Sequence, residues 1–341
     1  MNRAVLYFTS PGLLEIREEP LPPPPPGKVL VKTLLSAISA GSELLAYRGL
    51  CPPDLPLDQS IPSLQGKCAF PMRYGYSLVG RVTALGSGVP GEWEDRTVFS
   101  FQPHASAFAA AVEELLPLPA DVSPEEALFL PNLEAAVNLA MDGSPVIGEK
   151  AVVFGQGIVG LLTTAVLGMH PLARLLAVDR HRLRREASLR FGAGAAFDAS
   201  DPNLADAVMD GLGKEDGREG ADLAFEISGA PEALEQAISV TGFSGRIVIG
   251  SWYGVKPVRL NLGGAFHRSR IRLIASQVST IDPEFSGRWT KARRLALVWS
   301  LLKRTAPARL ITQRFPFAHA REAYDFLDRQ PERCLQVIFQ Y

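Results

Sequence analysis

A glycine-rich turn near the middle of the chain constrains the fold more than any other stretch. The run VVFGQGIVG places Gly155, Gly157 and Gly160 in the order G-x-G-x-x-G, after a β-branched segment and before an apolar helical one. Asp179 ends the next apolar run, LLAVD, nineteen residues after Gly160. A strand, this turn, a helix and an acidic residue closing the second strand together predict a dinucleotide-binding βαβ unit.

The turn has a physical reason for each glycine. Gly155 would permit the tight bend, Gly157 would let the backbone approach a pyrophosphate, and Gly160 would let helix and strand pack closely. The N-terminus of the following helix offers N–H groups to the phosphates. We therefore predict cofactor contacts along the whole segment, at Gly155, Gln156, Gly157, Ile158, Val159 and Gly160.

Asp179 bears on the choice of cofactor. A carboxylate at this point accepts hydrogen bonds from ribose hydroxyls and repels a 2′-phosphate, which favours NAD(H). Arg180 and Arg182 follow directly and could hold a phosphate, so NADP(H) stays open as the alternative. Arg180 is included among the predicted cofactor-binding residues.

Composition excludes several other classes of protein. The 341 residues carry a net charge of −1, which gives no electrostatic reason to expect a nucleic-acid partner. The longest apolar run, Gly157–Met169, is shorter than the ~20 residues of a membrane span. The three cysteines fit no zinc or disulfide spacing, and we expect a reduced, cytoplasmic protein without a membrane anchor.

Periodicity divides the chain into two expected domains. Residues 1–125 alternate β-branched runs with Pro and Gly turns, which predicts an all-β domain that residues 300–341 complete. A capping box at Ser123–Glu126 starts a helix expected to reach Met141. Strands and helices then alternate through residues 126–299, which predicts a doubly wound parallel sheet.

Several motifs together resemble one family. The chain is similar to the medium-chain dehydrogenase/reductase superfamily, the group of alcohol, sorbitol and threonine dehydrogenases. The resemblance spans nearly the whole length and rests on PPPPPGKVLVKT, ISAGSELLAYRG, YGYSLVGRVTALGSGV, FGQGIVG with Asp179, and LITQRFPFAHAREAYDFLD. It implies an α/β protein with a GroES-like catalytic domain and a Rossmann cofactor domain, a small-molecule substrate and a homodimer.

The resemblance also raises a question about zinc. Zinc-dependent members carry a ligand cysteine where this chain has Ala40, and a ligand histidine where it has Tyr76; their third ligand falls near Leu130–Pro131. Their cysteine-rich structural-zinc lobe is replaced here by the short loop Pro103–Phe108. Because catalytic zinc takes three protein ligands, we expect a member without zinc.

Hydrogen-bond donors would then replace the metal. Tyr76 stands at the histidine position and could donate to a substrate oxygen, and Ser42 matches the family's proton-relay hydroxyl. His104, in the loop after TVFSF, is a candidate acid/base. Glu134 and Asn138 lie one turn apart on an apolar helix, so either a core partner or a substrate must explain them. Of these two, Glu134 is taken as a catalytic candidate.

The remaining cofactor contacts follow from the resemblance alone. Ser228, Gly250 and Ser276 are expected to line the nicotinamide half. The favoured function is zinc-independent hydride transfer between NAD(H) and an alcohol or carbonyl substrate. Two alternatives stay open: reduction of an activated C=C bond, as in quinone and enoyl reductases, and dinucleotide binding without turnover, as in a redox sensor.

Overall fold

The structure is a computed structural model that describes residues 2–213 and 219–341. The chain forms two compact units: Met1–Pro131 with Trp299–Tyr341, and Asn132–Val298. We call them the first unit and the second unit.

Strands and helices are numbered in chain order. The strands are β1 (Asn2–Ser10), β2 (Leu13–Pro20), β3 (Lys28–Ala37), β4 (Leu78–Leu85), β5 (Thr97–Ser100), β6 (Ala107–Ala111), β7 (Leu116–Pro117), β8 (Lys150–Phe154), β9 (Arg174–Val178), β10 (Ala195–Phe197), β11 (Ala221–Glu226), β12 (Thr241–Ile249), β13 (Arg272–Ala275), β14 (Ile311–Pro316) and β15 (Gln336–Gln340). The α-helices are α1 (Ala40–Tyr47), α2 (Pro124–Ala127), α3 (Leu130–Gly143), α4 (Ile158–Leu167), α5 (Arg182–Arg190), α6 (Leu204–Leu212), α7 (Glu232–Val240), α8 (Lys291–Thr305) and α9 (Ala320–Arg329).

The first unit is built on a seven-stranded sheet. Its order is β14-β15-β3-β4-β5-β7, and β6 also pairs with β3. Neighbours run antiparallel except β14 and β15, which run parallel. Val29, Val31, Leu78 and Val98 pack in its core, each fully buried. The C-terminal strand β15 pairs with β3, so the tail completes this unit.

The second unit is built on a six-stranded parallel sheet. The order β10-β9-β8-β11-β12-β13 becomes 3-2-1-4-5-6 when these strands are counted along the chain, and every neighbouring pair is parallel. All five residues of β8 are buried, as expected for a strand covered on both faces. This is the doubly wound order of dinucleotide-binding folds, and it confirms the predicted Rossmann fold.

The helix predicted to run from Ser123 to Met141 is two helices. The capping box forms as expected, with Ser123 accepting the Glu126 N–H while the Glu126 side chain accepts the Ser123 N–H. The first helix, however, ends at Ala127 and the second begins at Leu130. Pro131 accounts for the break, because proline has no N–H to donate to the Ala127 carbonyl and the helical hydrogen bond between them cannot form.

Among residues 2–213 and 219–341, none of the helices combines the length and the apolar character needed to cross a bilayer.

Candidate functional site

The glycine turn after β8 cannot accept side chains at two of its three glycines. A Cβ at Gly155, whose φ is +90°, would lie 2.4 Å from the Cα of Ser228. A Cβ at Gly160 would lie 1.8 Å from the carbonyl oxygen of Gly155. Both glycines are therefore required by the close contact of strand ends and helix, as the motif predicts.

Gly157 has a different environment. A Cβ there would meet no atom within 4 Å, and Gly157 is the N-cap of α4 with no side-chain cap. The first N–H groups of a helix have no partner within the helix, so this end suits an anion. The open space at Gly157 leaves room for a bound pyrophosphate, and the tight packing at Gly160 holds the helix N-terminus beside it.

Asp179 follows β9 and is 6% exposed. One carboxylate oxygen accepts the Gln156 N–H at 2.7 Å and the other accepts the His181 N–H at 2.7 Å. The Gln156 side chain points inward, accepting from the Thr164 hydroxyl and donating to the Val153 carbonyl. Asp179 thus fastens the glycine turn and still has lone pairs for ribose hydroxyls.

The two arginines after Asp179 are exposed and differ in their contacts. The guanidinium of Arg182 donates to Glu186 at 2.7 Å, one turn along α5. Arg180 Nε lies 3.1 Å from the His181 ring. Arg182 is therefore paired with a carboxylate, whereas the Arg180 Nε–H donates to an imidazole ring.

Sequence reasoning missed a buried acid at the end of β11. Glu226 is fully buried and accepts the Ser228 N–H at 2.8 Å, the Ser228 hydroxyl and the Tyr253 phenol. Its backbone carbonyl accepts the Gly250 N–H at 2.9 Å. Glu226 thereby holds two predicted cofactor residues, Ser228 and Gly250. The signal was present in LAFE, where an apolar strand ends in an acid.

Arg294, a second residue that sequence reasoning missed, explains the two polar residues Glu134 and Asn138 on α3. The fully buried Arg294 donates to Glu134 at 2.7 Å, to Asn138, and to the carbonyls of Val278 and Thr280. Asn138 in turn donates to Ser276 at 3.0 Å. These contacts supply the core partner that Glu134 and Asn138 need.

The catalytic role predicted for Glu134 is therefore revised. Its carboxylate neutralises a buried guanidinium, and loss of either partner would leave an unpaired buried charge. Through Asn138 and Ser276 the group instead fixes the segment that follows β13. We assign Glu134 a positioning role.

In the first unit, α1 and the segment before β4 bring four hydroxyl side chains together. The Ser42 hydroxyl lies 2.8 Å from the Tyr76 phenol. Tyr74 packs edge-on against Tyr76, with ring centroids 6.1 Å apart, and Ser39 lies beside the same phenol. We call Ser39, Ser42, Tyr74 and Tyr76 the hydroxyl cluster.

Burial sets the protonation state of the hydroxyl cluster. It raises the pKa of the Tyr76 phenol above its usual value, although the adjacent Ser39 and Ser42 hydroxyls oppose the rise. The pKa of Tyr74 is raised further, again mainly by burial. Both phenols are therefore neutral hydrogen-bond donors near neutral pH.

His104 is not placed as the sequence predicted. Its ring is fully buried, with Nδ1 2.7 Å from the Ser36 hydroxyl and Nε2 2.9 Å from Glu43. Glu43 also accepts the Ser39 N–H at 2.7 Å and the Tyr324 hydroxyl. With both ring nitrogens bonded to protein groups, His104 has no free nitrogen for a substrate proton.

The His104 ring supports the hydroxyl cluster from behind. A Cβ at Gly75 would lie 2.8 Å from the ring, so Gly75 must be glycine for the chain to pass over it. Gly75 directly precedes Tyr76, and Glu43 directly follows Ser42. We therefore assign the Glu43–His104 pair a positioning role.

The residues at the family's metal position do not fit zinc. Ala40 and Tyr76 offer no usual zinc ligand, and the nearby acid, Glu43, already accepts from three protein groups. Within residues 2–213 and 219–341, no group of three His, Cys, Asp or Glu side chains could hold a metal ion. Zinc sites in proteins take three or four such ligands.

Comparison with known proteins identifies the family. A family model described as zinc-binding dehydrogenase matches residues 159–296. The (R,R)-butanediol dehydrogenase of Bacillus subtilis is 30% identical over 251 residues, covering 66% of this chain and 70% of that protein. Sorbitol dehydrogenase 1 of Saccharomyces cerevisiae is 28% identical over 282 residues, covering 73% and 71%.

A solved structure agrees along the full length. The crystal structure of 2R,3R-butanediol dehydrogenase from Bacillus subtilis superposes with a TM-score of 0.79 at 21% identity, covering 99% of each chain. This likeness confirms the predicted two-part fold. The chain belongs to the medium-chain dehydrogenase/reductase superfamily and is an NAD(P)-dependent oxidoreductase.

Proposed function

We propose that this enzyme transfers hydride between NAD(H) and an alcohol or carbonyl substrate without zinc. The observation that carries the proposal is the Ser42–Tyr76 hydroxyl pair, 2.8 Å apart, at the positions where the family resemblance places zinc chemistry. Relatives named for sorbitol and 2,3-butanediol favour a substrate with adjacent hydroxyl groups.

Besides hydride, reduction of a carbonyl needs a proton and a hydrogen-bond donor, and the Ser42–Tyr76 pair can supply both. When bound, the nicotinamide supplies or accepts the hydride. The Tyr76 phenol donates a hydrogen bond to the substrate oxygen and stabilises the negative charge that develops there. In the oxidation direction the alcohol proton passes to the Tyr76 oxygen while the phenol proton moves to the Ser42 oxygen and the Ser42 hydroxyl proton leaves to solvent.

The raised pKa of Tyr76 suits a donor better than a base. A phenol that stays protonated can give its proton to an alkoxide, because an alkoxide is much the stronger base. Ser42, which is half-buried, then gives its hydroxyl proton to the Tyr76 phenolate and takes a proton from solvent. Ser42 and Tyr76 are the proposed catalytic residues.

Cofactor selection rests on the second unit. We propose that Asp179 favours NAD(H), because its buried carboxylate lies beside the glycine turn and would repel a 2′-phosphate. Contacts along Gly155–Gly160 would hold the pyrophosphate, and Ser228, Gly250 and Ser276 would line the nicotinamide half. NADP(H) binding through Arg180 is the alternative.

Tyr76→Phe tests the proposed chemistry. Removing the phenol should lower turnover roughly 100-fold, the usual scale for a lost proton donor, while NADH affinity stays unchanged. Turnover would be followed by NADH absorbance with polyols, secondary alcohols and their ketones, and NADH affinity by fluorescence titration.

Tyr47→Phe is the matched control. It removes a phenol that donates to Asp325 at 2.7 Å, outside the hydroxyl cluster, and should leave turnover near the wild-type value. If Tyr76→Phe kept turnover near the wild-type value, as Tyr47→Phe should, Tyr76 would have no role in the mechanism.

A further inference from the structure

Two of the three cysteines meet beside the hydroxyl cluster. Cys51 follows α1, and Cys68 lies seventeen residues later. Their side chains are buried, 5% and 9% exposed, and the two thiols contact each other through a hydrogen bond. The third cysteine, Cys334, lies just before β15. A neighbouring thiol pair can be oxidised to a disulfide.

The chain between the two thiols forms a loop, which we call the 51–68 loop. Its two legs are joined by the Leu57 N–H donating to the Gly66 carbonyl at 2.8 Å, and by a β-bridge between Pro56 and Lys67. Leu64 is 1% exposed and anchors the loop to the first unit. A bond between Cys51 and Cys68 would close this loop at its base.

The 51–68 loop adjoins the hydroxyl cluster along the chain, because Cys51 lies four residues after α1, which carries Ser42, and Cys68 lies six residues before Tyr74. Burial is the main cause of the raised pKa of Tyr74, and the nearby Cys51 adds to it. Burial likewise dominates the raised pKa of Tyr76, to which the carboxylate of Asp58 in the loop contributes. Fixing or releasing this loop would therefore act close to the proposed catalytic hydroxyls.

We propose that Cys51 and Cys68 form a reversible dithiol–disulfide site, oxidised by small-molecule disulfides of the glutathione type, that fixes the 51–68 loop. One cysteine thiolate attacks the small disulfide, forms a mixed disulfide and releases one small thiol. The second cysteine thiolate then attacks the protein sulfur of that mixed disulfide and releases the second small thiol. The protein loses two electrons and two protons, and the reagent gains both.

Burial governs the rate of this exchange. It is the largest cause of the raised pKa of the Cys51 and Cys68 thiols, so little thiolate exists while the loop is closed. Oxidation is therefore expected to be slow at neutral pH, and faster as pH rises or the loop opens. While both thiols are buried, Cys51 and Cys68 would react slowly with oxidants.

Tryptic peptide mapping tests the site directly. Trypsin cleaves after Arg48, Lys67, Arg73 and Arg333, which separates the cysteines onto peptides 49–67, 68–73 and 334–341. Native protein incubated with oxidised glutathione, alkylated and digested without reductant should yield peptides 49–67 and 68–73 linked, with a loss of about 2 Da relative to their sum. Recovery of the two peptides alkylated or glutathionylated separately, without a linked product, would overturn the proposal.

Two cysteine variants sharpen the result. Cys334→Ser should give the same linked product as wild type. Cys68→Ser should give none and should accumulate a glutathione adduct on peptide 49–67. A linked product that required Cys334 would contradict the assignment.

The consequence for activity rests on the proposed function. The disulfide form should turn over severalfold more slowly at unchanged NADH affinity, and reductant should restore the rate. Equal turnover in both forms would show that the disulfide does not regulate the site. Peptide mapping decides the disulfide independently: if neither form oxidises or reduces any substrate, the proposed function fails and the mapping result still stands.

Discussion

The carboxylate of Asp179 accepts two backbone N–H groups, from Gln156 and His181, each at 2.7 Å. A residue predicted from the sequence only as a ribose ligand therefore also holds the glycine turn in place. Asparagine at this position removes the negative charge and keeps one carbonyl oxygen, which can retain one of the two hydrogen bonds.

Asp179→Asn should shift cofactor preference towards NADPH. Removal of the charge lowers repulsion of the 2′-phosphate, and the ratio of NADPH to NADH affinity should rise roughly tenfold, equivalent to about 1.4 kcal/mol. Separate fluorescence titrations with the two cofactors measure this ratio. Asp206→Asn, an exposed acid in α6, is the control, and an unchanged ratio in Asp179→Asn would count against charge-based selection.

Single residues were predictable from sequence where a local rule applies. The glycines and Asp179 follow from a motif whose spacing is fixed by the turn itself. The buried partners of His104 and Glu134 were not predictable, because nothing local in the sequence shows that Glu43 or Arg294 lies against them. Arg294 sits in the basic run KARRLALV, where one buried arginine looks like its exposed neighbours.

The glycine turn and α4 act as one element, and its two kinds of glycine can be distinguished by alanine. At Gly160 a Cβ would meet the Gly155 carbonyl at 1.8 Å, whereas at Gly157 it would meet nothing within 4 Å. The close contact at Gly160 is needed for the fold, whereas the open space at Gly157 is available to a bound dinucleotide. Stability and cofactor affinity should therefore respond differently at the two positions.

Gly160→Ala should destabilise the protein by about 2 kcal/mol or more, as overpacking does, and abolish NADH binding. Gly157→Ala should keep the free energy of unfolding within about 1 kcal/mol of wild type and still weaken NADH binding. Urea unfolding and NADH titration of both variants make the comparison. Wild-type NADH affinity in Gly157→Ala would show that the dinucleotide backbone does not approach this glycine.

Elements were predicted well where the signal lies within a few residues. The capping box at Ser123 starts α2 as expected, and the apolar run at β8 marks a strand buried on both faces. The break before Leu130 was missed, although Pro131 carries the reason for it. The apolar pattern continues from α2 into α3 and therefore predicts one helix. The boundary between them depends on backbone hydrogen bonds, which this pattern does not report.

At the scale of the whole molecule, buried tyrosines link stability to alkaline pH. Burial is the largest cause of the raised pKa of Tyr74 and Tyr324, and it raises the pKa of Tyr47 to about 12. Above pH ~10 the unfolded chain releases phenol protons that the folded chain retains. The contribution to stability is complete below that pH and is lost as pH rises towards the folded-state pKa values.

The free energy of unfolding should therefore fall as pH rises above about 10, by up to about 1.4 kcal/mol per pH unit for each such tyrosine. Urea unfolding at a series of pH values from about 8 to about 11.5 gives the slope. Tyr47→Phe should have a smaller slope over this range than wild type. A free energy that stayed constant through this range would contradict the predicted retention of protons.

The overall fold was predictable because it depends on patterns distributed along the chain. Alternating strands and helices after residue 126 specify a parallel sheet, and the early β-rich region specifies a separate sheet. The arrangement of the 51–68 loop was not predictable, because its prolines and polar residues show no period. Its thiol contact depends on how the loop folds back beside α1.

Zinc content measured together with activity tests the central claim most directly. Purified active enzyme should contain well under one zinc per chain, and a strong chelator should leave its NAD(H)-dependent turnover unchanged. One zinc per chain, with turnover lost on chelation and restored by added zinc, would contradict hydride transfer supported by Ser42 and Tyr76 alone.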